Sequence, residues 1–223
     1  MPPAENILRF LRDCGLDPGR SPLATMQSLY ARLVEANRQF NLTRITDEWD
    51  YWRLHVADSL AVGQVCPELL AAPLRVADVG CGAGFPLLPL AWANPAGEFV
   101  GVEATGKKAA FIVDTIEALG LANATVYYSQ AREAGRADGL AGTFDVVVFR
   151  AVGQAGEVLK DVRGLLKPTG RVIAWKAPPA VAEERELTAR EVGKFGFAVT
   201  ESPVVALPDG SEQRQFVIFQ KQA

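Results

Sequence analysis

The stretch that decides the fold is LRVADVGCGAGFPLLPL at residues 74–90, followed by GVEATGKK at residues 101–108. The apolar run at the start of the first stretch is typical of a buried parallel strand. The glycines that follow it are Gly80, Gly82 and Gly84. Glycines allow a sharp turn and a close approach of the backbone to a ligand. A second apolar run ends at Glu103, and the carboxyl ends of neighbouring parallel strands face one crevice. A carboxylate there can accept both hydroxyls of a ribose, which predicts a ligand that contains a nucleoside.

The spacing of the glycines distinguishes two kinds of nucleoside ligand. A dinucleotide-binding loop has the pattern G-x-G-x-x-G, whereas this chain has G-x-G-x-G. Pro86 occupies the helix start that would bind a phosphate, where it has no N–H to donate, and Asp78 would repel the phosphate. S-adenosylmethionine has no phosphate, carries a sulfonium and an ammonium cation, and offers a ribose to Glu103. The loop therefore predicts S-adenosyl-L-methionine as the cofactor and excludes NAD.

Composition sets the broad class of the protein. The chain has 223 residues, of which 49% are hydrophobic and 22% are charged, as in an ordinary globular protein. It contains no apolar run of about 18 residues, so we expect no membrane span. The three cysteines are scattered without C-x-x-C spacing and there is one histidine, so no metal site is predicted. Reduced thiols and a first segment without the pattern of a secretory signal lead us to expect a cytoplasmic protein.

The charge balance limits the kind of nucleic-acid contact that the protein could make. The formal net charge is -3, whereas proteins that bind long nucleic acids electrostatically are usually basic. Composition therefore does not support nucleic-acid binding, although it does not exclude it. Any contact with RNA should be local and should depend on the shape of the RNA.

The first 70 residues have helical patterning. Residues 5–16 and 22–40 carry apolar residues at helical spacing, and Thr46 or Asp47 could cap a further helix that runs through His55 to Leu60. We therefore predict an N-terminal helical cap over residues 1–70. Residues 71–223, which carry the glycine loop, are the predicted S-adenosylmethionine-dependent methyltransferase domain.

Strands and helices alternate in the second part of the chain. Buried strands are predicted at 75–79, 99–103, 125–129, 144–149 and 171–175, and helices at 107–119, 156–166 and 180–192. This alternation predicts a parallel sheet with right-handed crossovers. Residues 198–207 and 213–220 flank a turn at 208–211, which predicts a closing antiparallel hairpin. The predicted fold class is α/β: a Rossmann-like class I methyltransferase with a mostly parallel seven-stranded sheet, closed by that hairpin.

Several short motifs follow one another along the chain. They are Asn41-Leu42-Thr43, His55-x-x-Asp58-Ser59, Asp78-Val79-Gly80-x-Gly82-x-Gly84-x-Pro86, Gly106-Lys107-Lys108, Arg150-Ala151 and Trp175-Lys176. In this order, over residues 37–220, they resemble the glucose-inhibited division protein B (RsmG) family, and they are far more specific than the glycine loop alone. The resemblance implies an enzyme that transfers a methyl group from S-adenosylmethionine to guanine N7 in bacterial 16S ribosomal RNA.

The resemblance also implies roles for individual residues. Besides Asp78, Gly82 and Gly84 of the glycine loop, the cofactor-binding positions are Gly80, Phe85, Glu103, Ala104, Thr105, Ala131, Arg132 and Arg150. Glu103 to Thr105 fall on the ribose side, and Ala131 and Arg132 fall on the adenine side. The family often has an acidic residue where Arg132 stands, and here Glu133 follows one step later. Either the loop is shifted by one residue or the main chain holds the adenine amino group.

Methylation of guanine N7 requires little chemistry from the protein. N7 has an in-plane lone pair and no proton, so no general base is needed, and catalysis would be mostly positioning. Arg150 is the predicted catalytic residue, because its planar fork can donate to a guanine edge or to a phosphate. A plain ion pair at the edge of the sheet is the alternative for Arg150. Cys81 could be a nucleophile for pyrimidine methylation, but a small packed residue of the turn is the expected role.

The last predictions concern the residues that contact RNA and the identity of the methyl acceptor. The candidates for RNA binding are Lys107, Lys108, Lys176 and Arg214, with solvated positions or ion pairs, such as Arg214 with Glu212, as the alternatives. His55 and Asp58 share one helical face, and we expect His55 to pack the cap against the cofactor loop. The expected partner is 16S ribosomal RNA or the small ribosomal subunit, bound by a monomer. A small-molecule or protein acceptor, or an RNA-binding module without turnover, are the other hypotheses.

Overall fold

A central twisted sheet dominates the computed structural model, which describes residues 5–17 and 23–222. Its strands are β1 (Arg75–Val79), β2 (Glu98–Glu103), β3 (Ala124–Tyr128), β4 (Phe144–Arg150), β5 (Leu166–Lys176), β6 (Phe197–Glu201), β7 (Val205–Ala206) and β8 (Gln213–Lys221). The strand order is β3-β2-β1-β4-β5-β8-β6, and β7 pairs with β8 beside this path. The first five strands pair in parallel, and β8 lies antiparallel between β5 and β6. The predicted mostly parallel sheet with an antiparallel closure is confirmed.

The helices surround this sheet. They are α1 (Glu5–Asp13), α2 (Leu23–Asn37), α3 (Glu48–Asp50), α4 (Asp58–Leu60), α5 (Leu87–Ala93), α6 (Gly106–Leu119), α7 (Ala131–Ala134), α8 (Ala155–Val162) and α9 (Pro178–Phe195). A π-helical stretch, Tyr51–Ala57, joins α3 to α4, and two short 3₁₀ helices, Ala61–Gln64 and Pro67–Leu70, follow. Asp47 accepts a hydrogen bond from the Asp50 N–H, so its predicted role as a helix cap is confirmed. The predicted start of the second helix at residue 22 lies outside the described residues.

Several predicted boundaries were wrong, beginning with the helices predicted over 5–16 and 22–40, which end at Asp13 and Asn37. The helix predicted over 156–166 ends at Val162, and the strand predicted to begin at residue 171 begins at Leu166. Phe144 pairs with Leu166 and Val146 with Arg171, so the intervening residues form a bulge between two paired positions.

The first strand of the predicted hairpin is also interrupted, between β6 and β7. Pro203 lies in this gap and has no N–H to donate to a strand partner. Ser202 there donates its backbone N–H to Phe216 and accepts the Phe216 N–H on its hydroxyl. The antiparallel closure is therefore made in two pieces.

The helical cap and the sheet share one hydrophobic cluster. Buried side chains of the cap, such as Tyr51 and Val56, belong to the same cluster as Leu87 of α5, Trp175 of β5 and Phe216 of β8. A second cluster, on the other face of the sheet, includes Phe149 and Phe219. The cap therefore covers one face of the sheet and does not stand apart from it. Among the described residues, no helix is long and apolar enough to cross a membrane.

Two glycine substitutions should shift stability in opposite directions. A Cβ at Gly63 would lie 2.5 Å from the Cys14 carbonyl oxygen, a backbone atom that cannot move without displacing the chain behind α1. We expect Gly63→Ala to lower the free energy of unfolding by roughly 1–3 kcal/mol. Gly193, inside α9, has no atom within 4 Å of the position that a Cβ would take. Gly193→Ala should therefore raise the free energy of unfolding by about 0.5–1 kcal/mol. Urea unfolding measures both changes, and a destabilising Gly193→Ala or a neutral Gly63→Ala would contradict the packing.

Candidate active site

The glycine loop follows β1 and opens toward the carboxyl edge of the sheet. Gly80, Gly82 and Gly84 have φ angles of 69°, 58° and 93°, in the region that side chains rarely adopt. The nearest atom to a Cβ built on Gly82 would be the Gly80 carbonyl oxygen, 3.8 Å away, so the backbone of Gly82 borders open space. A Cβ on Gly80 would instead clash with Val152. The loop thus presents its middle glycine to the crevice, where a ligand can approach the backbone closely.

Glu103 is held rigidly at the end of β2. Its carboxylate is buried and accepts the Gly82 N–H at 2.9 Å on one oxygen and the Thr105 N–H at 2.8 Å on the other. These two bonds fix the carboxylate against the glycine loop. Each oxygen keeps a second lone pair, which is what the two hydroxyls of a ribose require.

Asp78 has a carboxylate oxygen without a partner. The residue lies in β1 and is fully buried, and its Oδ2 accepts the N–H of Leu87, the first residue of α5, at 2.9 Å. Oδ1 is buried and forms no hydrogen bond within the described parts of the chain. Burial raises the pKa of Asp78 from 3.8 to about 7, and the charge of Glu103 adds to this, against smaller opposing effects of the Leu87 N–H and Arg150. An orphaned carboxylate oxygen in this position is suited to a cationic ligand group.

The residues predicted to border the ribose and the adenine follow β2 and β3, which end at the same edge of the sheet. Ala104 and Thr105 are exposed after β2, and Ala131 and Arg132 begin α7. Arg132 is exposed, while the Glu133 carboxylate accepts the Ser129 hydroxyl at 3.2 Å. The main chain is linked too, because the Ser129 N–H donates to the Glu103 carbonyl. The bond between Ser129 and Glu103 ties the segment before α7 to the end of β2, and the contacts of Ala131 and Arg132 with adenine stay a prediction.

A cavity of about 530 Å³ lies at the carboxyl ends of β4 and β5, next to the glycine loop. Its lining residues are Ile45, Leu54, His55, Asp58, Arg150, Ala151, Trp175, Lys176, Ala177, Glu212 and Arg214. Three of the predicted site residues, Arg150, Lys176 and Arg214, are therefore brought together here. Because this cavity adjoins the loop predicted to hold the cofactor, it is the candidate acceptor site, and we call it the acceptor cavity.

Arg150 ends β4 and is bound by the helical cap. Its Nη1 donates to the Leu54 carbonyl at 2.9 Å and to the Asp58 carboxylate at 2.8 Å, and its Nη2 donates to His55 Nδ1 at 3.2 Å. The ion pair that sequence reasoning left as an alternative is thus present, and its partner is Asp58. The Nε–H of Arg150 has no hydrogen-bond partner among residues 5–17 and 23–222, so the guanidinium keeps a donor for a ligand.

His55 connects the cap to the glycine loop. Its ring stacks on Phe85, with centroids 4.1 Å apart and planes 5° apart, which is the predicted contact between cap and cofactor loop. Nδ1 accepts from Arg150, which has no acceptor, so Nε2 must carry the proton that it donates to the Thr43 hydroxyl at 3.1 Å. Burial and the Arg150 charge lower the pKa of His55 to about 3. The imidazole is therefore neutral, and both of its nitrogens are engaged.

The four predicted RNA-binding residues fall into two groups. Lys176 is largely buried, and its ammonium donates to both oxygens of Glu184, at 2.9 and 3.0 Å, and to the Gly153 carbonyl. Arg214 donates to Asp58 at 2.7 Å and to Glu212 at 3.2 Å. Lys107 and Lys108 lie instead at the start of α6, and Lys107 is exposed there, at a groove between α2 and α6. The structure thus places two of these cations at the acceptor cavity and two outside it.

Asp58 is the residue whose importance the sequence did not reveal. It is buried and is bound by both Arg150 and Arg214, and its carbonyl accepts the Trp175 indole N–H at 3.0 Å. The motif His55-x-x-Asp58 was visible, but its partners lie 92 and 156 residues further along the chain.

The alternative of a cysteine nucleophile finds no support at this site. Burial, together with the charges of Asp78 and Glu103, raises the pKa of the Cys81 thiol well above its ordinary value, so the thiol stays protonated. This agrees with a packed residue of the turn and not with a nucleophile. Within the described ranges, no group of three His, Cys, Asp or Glu side chains could hold a metal ion.

The sheet order, the glycine loop and the carboxylate after β2 define a class I S-adenosylmethionine-dependent methyltransferase. Solved structures share the fold. A SAM-dependent methyltransferase from Aquifex aeolicus has a TM-score of 0.53 and 20% identity, over 70% of this chain and 87% of that one. Precorrin-6y C5,15-methyltransferase from Geobacter metallireducens has a TM-score of 0.51 and 17% identity, over 71% of this chain and 86% of that one.

The particular family follows from the sequence comparisons. The chain belongs to the GidB family, described as rRNA small subunit methyltransferase G, whose family model matches residues 22–209. Ribosomal RNA small subunit methyltransferase G of Sorangium cellulosum is 38% identical over 82% of this chain and 76% of its own length. The protein of the same description from Lactobacillus johnsonii is 33% identical over 97% of this chain and 90% of its own length. The resemblance drawn from the motifs is confirmed.

The orphaned carboxylate should make stability depend on pH in a particular way. Between about pH 4 and pH 7 folded Asp78 holds a proton that the unfolded chain has lost, so its contribution lowers the free energy of unfolding as pH rises. Without cofactor, Asp78→Asn should therefore be more stable than the parent at pH 8, by at most about 4 kcal/mol, with little difference at pH 4. The contribution of His55 to the pH dependence is the same in both proteins, so it cancels in the comparison. Urea unfolding at pH 4, 6 and 8 measures the difference, and a shift that is equal at all three values would contradict the assignment.

Proposed function

We propose that this protein transfers the methyl group of S-adenosylmethionine to N7 of a guanine in 16S ribosomal RNA. The observation that carries the proposal is an acceptor cavity whose possible bases are already engaged. Both nitrogens of His55 are bound, and both oxygens of Asp58 are held by arginines. Glu212 accepts from Arg214. N7 has no proton to lose, so a site of this kind suits it, whereas acceptors that must be deprotonated would need a free base.

The residues around the glycine loop fit the cofactor. Glu103 would accept the ribose hydroxyls, the open backbone at Gly82 would allow close approach, and Asp78 Oδ1 would accept the ammonium group. Ala131 and Arg132 would border the adenine. When bound, S-adenosylmethionine supplies an electrophilic methyl group on a sulfonium. The orphaned Oδ1 of Asp78 supports this assignment most directly, since a buried carboxylate oxygen without a hydrogen-bond partner costs stability.

The acceptor cavity would hold the target base by shape and by donors. Leu54, Trp175 and Ile45 supply apolar lining, and Arg150 and Arg214 supply N–H groups that can bond to a guanine edge or to a phosphate. Holding the base in a single orientation is the main contribution that the chain can make, because well-oriented reactants can gain roughly 7–11 kcal/mol. In this role Arg150 is the catalytic residue that we propose.

The substrate would be recognised largely by shape. The net charge is -3, and of the four predicted RNA-binding residues Lys176 and Arg214 are already paired with carboxylates. Lys107, which is exposed, and Lys108 beside it are the two that we propose for phosphates. We therefore propose a folded region of the 16S ribosomal RNA, or the small ribosomal subunit, as the partner of a monomeric cytoplasmic enzyme. A small-molecule or protein acceptor is not favoured, because the family is described as an rRNA methyltransferase.

The function is tested by methylation of defined RNAs. Purified protein should add one methyl group to a guanine of 16S RNA, located by mass mapping of RNA fragments. Replacing that guanine by 7-deazaguanine should abolish the reaction, because the attacking lone pair is gone. A methyl group on the exocyclic amine, or transfer to a small metabolite with none to RNA, would refute the proposal.

The ribose assignment is tested at the two ends of β2. Glu103→Gln cannot accept both hydroxyls of the ribose as the carboxylate does, and we expect it to weaken S-adenosylmethionine binding by roughly 1.5–3 kcal/mol. Glu98→Gln, at the other end of the same strand, changes a carboxylate that pairs with Arg75. It should leave the affinity unchanged. Calorimetry measures both variants, and equal affinities for Glu103→Gln and the parent would refute the assignment.

A further inference from the structure

We infer that Asp58, from the helical cap, is a positioning residue that fixes Arg150 and Arg214 on the wall of the acceptor cavity. This inference rests on the proposed function, because it assigns the orientation of the acceptor to a residue outside the sheet. The cap would then be part of the catalytic machinery as well as a cover for the sheet.

The geometry assigns one arginine to each oxygen of the carboxylate. Oδ2 lies 2.8 Å from Arg150 Nη1, and Oδ1 lies 2.7 Å from Arg214 Nε. The Asp58 side chain is only 2% exposed, whereas the two arginines, at 17% and 16%, reach the surface of the cavity. Charge-assisted bonds of this length are short and directional. The carboxylate therefore sets the orientation of both guanidinium groups from behind the cavity wall.

Hydrogen bonds hold both the N–H and the carbonyl of Asp58, and they fix the position of its carboxylate. Its N–H donates to the carbonyls of Arg53 and His55 within the cap. Its carbonyl accepts the indole N–H of Trp175, which lines the same cavity. A displacement of the cap would therefore move Asp58 and, with it, the two arginines.

The free energy of folding alone does not explain why the Asp58 carboxylate is buried against two arginines. Burying a carboxylate and two guanidinium groups has a desolvation cost that the attraction between them only roughly offsets, and apolar residues often do as well. What the arrangement does provide is donors with fixed directions. The second terminal nitrogen of Arg214 and the Nε–H of Arg150 have no hydrogen-bond partner within the described ranges, and both residues line the cavity.

The two arginines depend on Asp58 to different degrees. Arg150 also donates to Leu54 and His55, which would hold it if Asp58 were changed. Within the described part of the chain, Arg214 has, besides Asp58, only the half-exposed Glu212 and the carbonyl of its neighbour Gln213. Loss of the charge at Asp58 should therefore release Arg214 first. The carboxylates that face the cofactor, Asp78 and Glu103, form no hydrogen bond with Asp58, so cofactor binding should change little.

The first experiment separates turnover from binding. Asp58→Asn keeps the shape but loses the charge, and we expect kcat on 16S RNA to fall by about tenfold or more, with S-adenosylmethionine affinity within about twofold of the parent. Arg214→Gln should also lower kcat, and the double variant should lose less than the two single losses combined, because both single variants remove the bond between Asp58 and Arg214. Additive losses, or a cofactor affinity that falls in parallel with kcat, would overturn the inference.

Asp145→Asn is the matched control. Asp145 pairs with Lys167 at 2.6 Å and accepts the Arg75 N–H at 2.9 Å, near the amino end of β4 and away from the cavity. It should lower thermal stability without changing kcat measured well below the melting temperature. If Asp145→Asn lowers kcat as much as Asp58→Asn does, the effect belongs to general stability and the inference fails.

A second readout needs no turnover. An arginine-selective dicarbonyl reagent followed by mass spectrometry should modify Arg214 faster in Asp58→Asn than in the parent, with a smaller change at Arg150. Unchanged rates at Arg214 would overturn the inference. If the parent protein does not methylate 16S RNA at all, the proposed function fails while this measurement still decides the role of Asp58. Should Asp58→Asn not fold, Asp58→Glu takes its place, since the added methylene must displace the carboxylate from both arginines.

Discussion

The parallel pairing of β1 with both β2 and β4 is the constraint on which the site depends. Asp78 pairs in register with Gly101 of β2 and with Val148 of β4. Because parallel strands end on the same side, the carboxylates of Asp78 and Glu103 and the guanidinium of Arg150 reach one edge from separate parts of the chain. A slip of one residue in either pairing would turn these side chains to the wrong face. The apolar side chains that fill both faces of the sheet set that register.

The helical cap holds the site residues that the strand ends bring together. His55 stacks on Phe85 of the glycine loop and accepts a hydrogen bond from Arg150, while Asp58 holds Arg150 and Arg214. The cofactor loop and the acceptor cavity are thus connected through a single helical segment. A change in the position of that segment would displace residues in both the cofactor loop and the acceptor cavity. It would therefore couple the binding of the cofactor to the binding of the acceptor.

The sequence predicted the features that local patterns encode. The alternation of strands and helices, the positive-φ glycine loop and the carboxylate after β2 all follow from short segments, and the structure has them. The split of the last hairpin at Pro203 and the bulge at 167–170 depended on which strands lie side by side, which a local pattern does not specify. The same limit applied to Asp58, since nothing near it in sequence identifies Arg150 and Arg214 as its partners.

The shared hydrophobic cluster of cap and sheet has a consequence for how the protein folds. With Tyr51 and Phe85 in edge-to-face contact, and Trp175 and Phe216 in the same cluster, neither segment can bury its apolar surface without the other. We therefore expect the cap and the sheet to lose their packing together when the protein unfolds. The bond between Asp58 and Arg214 joins residues 156 positions apart, and Arg214 lies in β8, which pairs with β5. A chain in which β8 has not yet paired with β5 would therefore lack the wall of the acceptor cavity that Glu212 and Arg214 form.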